Sequence, residues 1–230
     1  MSAVAIVDMD LRLPGDPVRH PDVEPVDCYR LPSLERSDLN GYAGLIVPTM
    51  VDQEFLNHHR ELVRAYLDHG GVIAFSGHLH RPWLPGAGVF EPKRVRTFRD
   101  YEVRVVADHP IFAGVEDADL TYRRGVAGFF VRGHHRPPPG AQVLVEFTSG
   151  EPVVYVDEVT TAGSILVHAG NDLINLAGHG SSASRVADQL LSWMRGAGRR
   201  PGRESGRGSP GGGPQARRAG KDKTAGGTIS

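Results

Sequence analysis

Cysteine is nearly missing from this chain: Cys28 stands alone among 230 residues. No internal disulfide can form, and there is no Cys-x-x-Cys pair to hold zinc or run dithiol chemistry. Also missing is any apolar run of about 18 residues, the length that spans a bilayer, so no membrane partner is expected. The opening Met1-Ser-Ala-Val-Ala-Ile-Val-Asp8 has no basic leader and reaches an acid at once, unlike a secretory signal. These absences predict a soluble, cytoplasmic protein. No internal repeat is present. Large apolar side chains all but vanish after Gly196: residues 197–230 are mostly Gly, Arg, Pro, Ser and Lys, too poor in buryable surface to offset the entropy of ordering. The expected organisation is one domain over residues 1–196 and a disordered basic tail over 197–230.

Charge is divided the same way. The net charge of −1 splits into +6 for residues 197–230 and −7 for residues 1–196. An acidic folded part argues against a nucleic-acid-binding domain, which would carry a basic face. For the tail, weak nonspecific contact with nucleic acid is one reading and a plain solubilising extension the other.

What is present is a series of short, β-branched runs bounded by turn residues. Strands are predicted over Ala3–Val7, Val23–Tyr29, Ala43–Val47 and Val72–Phe75. Between the last two, Phe55, Leu56, Leu62, Val63, Tyr66 and Leu67 recur at helical spacing, predicting one helix over Val51–His69 that stops at Gly70-Gly71. Strand, helix, Gly-Gly and strand make a right-handed crossover. The second half is richer in strands: Tyr101–Ala107, Val126–Val131, Gln142–Phe147, Pro152–Val156 and Ser164–His168. An amphipathic helix over Ser181–Arg195, capped by Ser181 or Ser182, closes the domain. The fold class is α/β: a flavodoxin-like three-layer sandwich with a mostly parallel central sheet and a strand-rich second half.

The segment "YAGLIVPTMVDQEFLNHHRELVRAYLDHGGVIAFSGH", with "HPIFAGV" at 109–115 and "GSILVHAGND" at 163–172, resembles the class I glutamine amidotransferase-like superfamily, including its trehalose-utilisation-type and non-catalytic branches. The likeness spans about residues 1–195 as a pattern of elements. In the enzymes of that family a cysteine sits on a strained strand-to-helix elbow, with neighbouring N–H groups facing the oxyanion. Counting from Gly71, that position falls on His78, and no cysteine lies at the turn. The resemblance places His168 at the family's catalytic histidine and Asp172 near its acidic partner, with no thiol for them to activate.

Ser76 could replace the thiol, although Ala74-Phe-Ser-Gly-His78 lacks the small outer residues of a Gly-x-Ser-x-Gly elbow. The other reading is a turn serine. In an open α/β sheet the residues following the strands meet at one crevice. There His78, His80 and His168, with Asp172 or Glu102, could hold a divalent metal, and His134, His135 and His179 could join them. Otherwise these histidines are rim residues that bind loops. Gly77, His80, Arg81 and Trp83 are candidate ligand-binding residues. Arg81, Arg94, Arg96, Arg99, Arg123 and Arg124 would suit an anionic substrate if they point into the crevice. Gly77–Arg99 reads as a lid.

The expected function is therefore a small-molecule-binding or accessory module in cytoplasmic metabolism that has lost the thiol. The alternative is a hydrolase using a His-based metal site or Ser76. No cofactor is expected for the first reading. A homodimer is compatible with either.

Overall fold

The computed structural model describes residues 3–9, 20–33, 39, 41–178 and 180–197. The tail from residue 198 and His179, both subjects of sequence expectations, lie outside them. Eight strands form one sheet: β1 (Val4–Asp8), β2 (Val23–Asp27), β3 (Gly44–Val47), β4 (Val72–Ser76), β5 (Val103–Val105), β6 (Gln142–Phe147), β7 (Pro152–Asp157) and β8 (Ser164–His168), in the order β2-β1-β3-β4-β8-β7-β6-β5. From β2 to β8 neighbouring strands are parallel; β7, β6 and β5 continue the sheet antiparallel. β4 and β8 are buried at every position, as parallel strands covered on both faces must be.

Alternate side chains feed two cores. Val72, Ala74 and Leu166 belong to the one covered by α4 (Arg185–Ala197), whose Val186, Leu190, Leu191 and Met194 are buried. Ile73, Phe75 and Val167 belong to the other, under α1 (Gln53–His58) and α2 (Arg60–Asp68). A short α3 (Asp117–Thr121) lies beside β5. The architecture is the α/β sandwich the sequence predicts, and among the described residues no helix is long and apolar enough to cross a membrane.

Five elements differ from expectation, each for a local reason. The strand expected over Tyr101–Ala107 is only Val103–Val105, because Thr97 and Asp100 cap a 3₁₀ turn over Phe98–Tyr101. The helix over 51–69 breaks at His59 (φ −106°), where the rings of His58 and His59 lie 2.8 and 2.9 Å from the carbonyls of Glu54 and Phe55 and take over the end of α1. β2 stops at Asp27 because its carboxylate accepts from the Tyr29 N–H at 2.9 Å, turning Cys28–Ser33 into a 3₁₀ segment. Cys28 is therefore not on a strand. The predicted Val126–Val131 strand shrinks to Val126–Ala127, paired with Tyr122–Arg123 across a tip where Arg124 (φ 51°) and Gly125 (φ 79°) are left-handed, the geometry a two-residue hairpin needs. Neither Ser181 nor Ser182 caps α4: Ser182 instead donates its hydroxyl to Asp119 at 2.6 Å.

The expected lid over 77–99 is largely a structural cover. Leu79, Trp83 and Leu84 are almost fully buried, and Trp83 stands edge-on to Phe75 with ring centres 5.4 Å apart. With Pro82, Pro85 and Gly86, the segment cannot form a helix. It shields the part of the sheet that α1 and α2 leave open.

Candidate functional site

At the C-terminal ends of β3, β4 and β8 the chain makes three turns that lock together. Gly77 takes φ +135°, where a Cβ would meet Thr49 Cα at 2.9 Å, so only glycine fits; its N–H donates to the His168 carbonyl at 2.9 Å. Asp172 accepts from the Thr49 N–H at 2.7 Å and the Thr49 hydroxyl at 2.8 Å. Burial raises the Asp172 pKa, and these two bonds oppose the rise. Ser76, 6% exposed, accepts from the Leu173 N–H at 3.3 Å. This arrangement ties a serine into a turn. It does not present one on a raised elbow, and no helix follows β4 to aim its N–H groups at an oxyanion.

His168 pairs with Ser76 on the same rung of the sheet, yet its ring is completely enclosed. Phe130 lies over it with ring centres 4.5 Å apart, and an antiparallel bridge between Val131 and Gly170 closes the cover. Among the described residues neither ring nitrogen has a hydrogen-bond partner. Burial depresses its pKa to about 3 against a smaller opposing effect of the Asn171 backbone, and His135 and His78 lower it slightly further. Neutral imidazole is the form that accepts a proton or ligates a metal, but this ring is enclosed where neither a substrate nor an ion reaches it.

The other histidines have separate tasks. His78 is exposed and stacks on Phe90, ring centres 3.7 Å apart and 16° from parallel; partial burial lowers its pKa. His80 is exposed, its Nδ1 3.3 Å from the His78 carbonyl. His134 Nε2 lies 3.9 Å from Glu91. His135 is buried between the Gly88 and Gly77 carbonyls, at 3.0 and 2.9 Å, and a neutral ring can donate to only one of them. Burial lowers its pKa. Among the described residues no three His, Cys, Asp or Glu side chains are grouped to hold a metal. His78, His80, His168, Asp172 and Glu102 therefore do not form the expected ligand set. Glu102 accepts from the Tyr122 hydroxyl instead, at 2.8 Å.

An open crevice of about 290 Å³ does lie at this edge, lined by His78, Phe129, Phe130, Arg132, Gly170 and Asn171, among others. A smaller recess of about 60 Å³ shares Phe129, Phe130 and Asn171 and adds Asp119, Arg123 and Asn175. Arg132 donates its Nε–H to the Gly128 carbonyl at 3.0 Å, and among the described residues its terminal nitrogens make no ion pair. Asn171 donates to the Phe129 carbonyl at 2.7 Å. Of the expected ligand-binding residues, Gly77 is buried in the turn, Trp83 is core, His80 points to solvent and Arg81 pairs with Glu54. None of them lines the crevice. Phe129, Phe130, Arg132 and Asn171 were not expected from the sequence. The Gly-Phe-Phe of 128–130, where a glycine interrupts a β-branched run, is the signal that marks the place where the chain turns across the sheet edge.

Gln53, 3% exposed, fixes the loop that carries His78. Its amide donates to the His78 carbonyl at 2.8 Å and accepts from the His80 N–H at 2.9 Å. Gln53→Ala orphans both groups and should cost about 2 kcal/mol, read as a shift of the urea midpoint with an unchanged slope. Gln53→Glu, which keeps only the acceptor, should fall between.

Cys28 is buried, and burial, then Asp52, then Asp27, push its pKa up to about 12. The thiolate is the reactive form, so iodoacetamide at pH 8 should leave the native protein unlabelled and label it fully in urea. Labelling of the native protein as fast as free cysteine would contradict this geometry.

No protein-family model matches the sequence, and no curated protein matches it. Among solved structures the chain is similar to a cytoplasmic protein of Salmonella typhimurium, with 10% identity over 75% of this chain and 80% of that one and a TM-score of 0.52. A cytoplasmic protein of Salmonella typhimurium LT2 gives 11%, 76%, 81% and 0.49, and a ThuA-like protein of Bacteroides uniformis 15%, 75%, 76% and 0.44. The first likeness shows a shared fold; at such identity it carries no activity across.

Proposed function

We propose that this chain is a glutamine amidotransferase-like domain that binds a small molecule in the crevice beside His78, Phe129, Arg132 and Asn171 and does not hydrolyse it. The observation that carries the reading is the enclosure of His168. The histidine at the family's catalytic position lies behind Phe130 with no nucleophile bonded to it, no thiol stands at the turn, and no helix supplies an oxyanion site. An open, part-aromatic crevice with a free guanidinium and an amide suits recognition of a polar ligand of modest size.

The test has two arms. The protein, incubated with a small-molecule extract of the cells that express it, is passed through a desalting column and denatured for mass spectrometry. A compound retained by the wild type and lost from an Arg132→Ala/Asn171→Ala variant supports the reading; retention of nothing opposes it. In the second arm, glutamine and p-nitrophenyl acetate should be turned over no faster by the wild type than by Ser76→Ala. A rate that disappears in Ser76→Ala would establish the hydrolase in its place.

A further inference from the structure

Outside the crevice, one face breaks the charge balance of an otherwise acidic domain. Several arginines elsewhere are paired with carboxylates: Arg64 with Asp68, Arg104 with Glu146, Arg136 with Glu91. Five others, on two adjoining segments, have no carboxylate at ion-pair distance among the described residues: Arg94, Arg96 and Arg99 before β5, and Arg123 and Arg124 at the hairpin tip. All five are exposed. The two segments touch, since the Tyr122 hydroxyl donates to Glu102 at 2.8 Å and Gly128 packs on the Tyr101 ring. The acids within the two segments, Asp100 and Glu102, are already engaged, and Asp119, which shares a recess with Arg123, accepts from Ser182. Asp100 accepts from the N–H groups of Arg96 and Thr97 at 2.6 and 2.8 Å, and Glu102 from Tyr122.

Between Arg96 and Arg99 stands Phe98, 61% exposed, with Val126, 52% exposed, on the neighbouring hairpin. Folding buries little of either. A large aromatic ring left in water, on a segment with three exposed arginines and beside a hairpin tip with two more, matches a ligand that offers a flat π-face and a chain of anions. Guanidinium forks bind phosphate oxygens bidentately. An exposed ring stacks on bases, provided the bases are unpaired. An acidic polypeptide would satisfy the arginines and leave the ring unused. We propose that this face binds single-stranded nucleic acid, a base stacking on Phe98 and phosphates running between the 94–99 segment and the 123–124 tip. The acidic remainder of residues 1–196 repels the same polyanion, which confines it to this face.

The test uses the full chain and fluorescence anisotropy with fluorescein-labelled oligo(dT), oligo(U) and a duplex of equal length. Tighter binding of either single strand than of the duplex is expected, and which one binds tells DNA from RNA. Phe98→Ala should weaken binding about tenfold. Arg96→Gln/Arg99→Gln should reduce the slope of log K against log salt by about 1.4, at roughly 0.7 per phosphate contact. Arg123→Gln/Arg124→Asn, in which Asn tolerates the left-handed position 124, should act similarly. Arg60→Gln/Arg64→Gln on α2 makes the same charge change elsewhere and should leave binding intact. The proposal is overturned if the duplex binds equally and Phe98→Ala changes nothing, if the α2 control weakens binding as much as the patch variants, if polyglutamate competes as well as the oligonucleotide, or if only removal of residues 198–230 matters.

Discussion

Gly170→Ala should lower the melting temperature by about 8–16 °C, the equivalent of roughly 4 kcal/mol in a domain of this size. A Cβ built on Gly170 would fall 1.9 Å from the Phe130 carbonyl oxygen and 2.9 Å from His168 Nε2. The first obstacle is backbone, so no side-chain rotation relieves it. Either the Val131–Gly170 bridge opens and the 129–131 segment lifts away, or β8 shifts against β4. Both expose apolar surface that is now buried. Diethylpyrocarbonate separates the outcomes: the wild type should leave His168 unmodified, and a folded Gly170→Ala protein in which His168 reacts has lost its cover. A variant with the wild-type melting temperature and a silent His168 would show that the segment does not close as described.

Acid should destabilise the domain through His168, and His168→Leu should remove that sensitivity. The folded pKa, about 3, lies below the ordinary 6.5. Between these values the unfolded chain holds a proton that the folded chain refuses. The stability is therefore fully present above about pH 6.5 and is lost as pH falls toward the folded value, at up to about 1.4 kcal/mol per pH unit. From pH 7 to pH 5 the wild type should lose about 2 kcal/mol more than His168→Leu, measured by urea unfolding at each pH. His135 and the carboxylates titrate in both proteins and cancel in the difference. At pH 7 the leucine variant should be as stable as the wild type or more so, because it replaces two unpartnered buried nitrogens with apolar surface. Parallel losses in the two proteins would mean that the imidazole is not enclosed.

The sheet was legible because its central strands are uniform. Val72-Ile-Ala-Phe75 and Ile165-Leu-Val167 carry no polar residue, and Gly70-Gly71 punctuates the crossover between β3 and β4. That the residues ending β4 and β8 meet at one edge of the sheet followed from the same pattern, and the register sets Ser76 and His168 on one rung. The site around them was not legible, because what decides it is nonlocal. Whether His168 faces solvent depends on a pairing between Val131 and Gly170 and on an amide bond from Asn171 to Phe129, neither of which has a local periodicity. The same holds for Trp83, whose Pro-rich surroundings suggest an exposed loop although it is core. Elements also ended early wherever a side chain competed for backbone groups, as at Asp27 and at His58-His59.

The position of β8 has a consequence for how the chain is made. It is the last strand in sequence and lies in the middle of the sheet, between β4 and β7. At translation rates of about 5–20 residues per second, the ribosome needs roughly 5–20 s to pass from Ser76 to His168. During that interval the four-stranded N-terminal half ends in an unpaired edge at β4, apolar from Val72 to Phe75, the kind of edge that recruits strands from other chains. In a nascent polypeptide with this topology the β4 edge gains its own partner only when the final strand has been made.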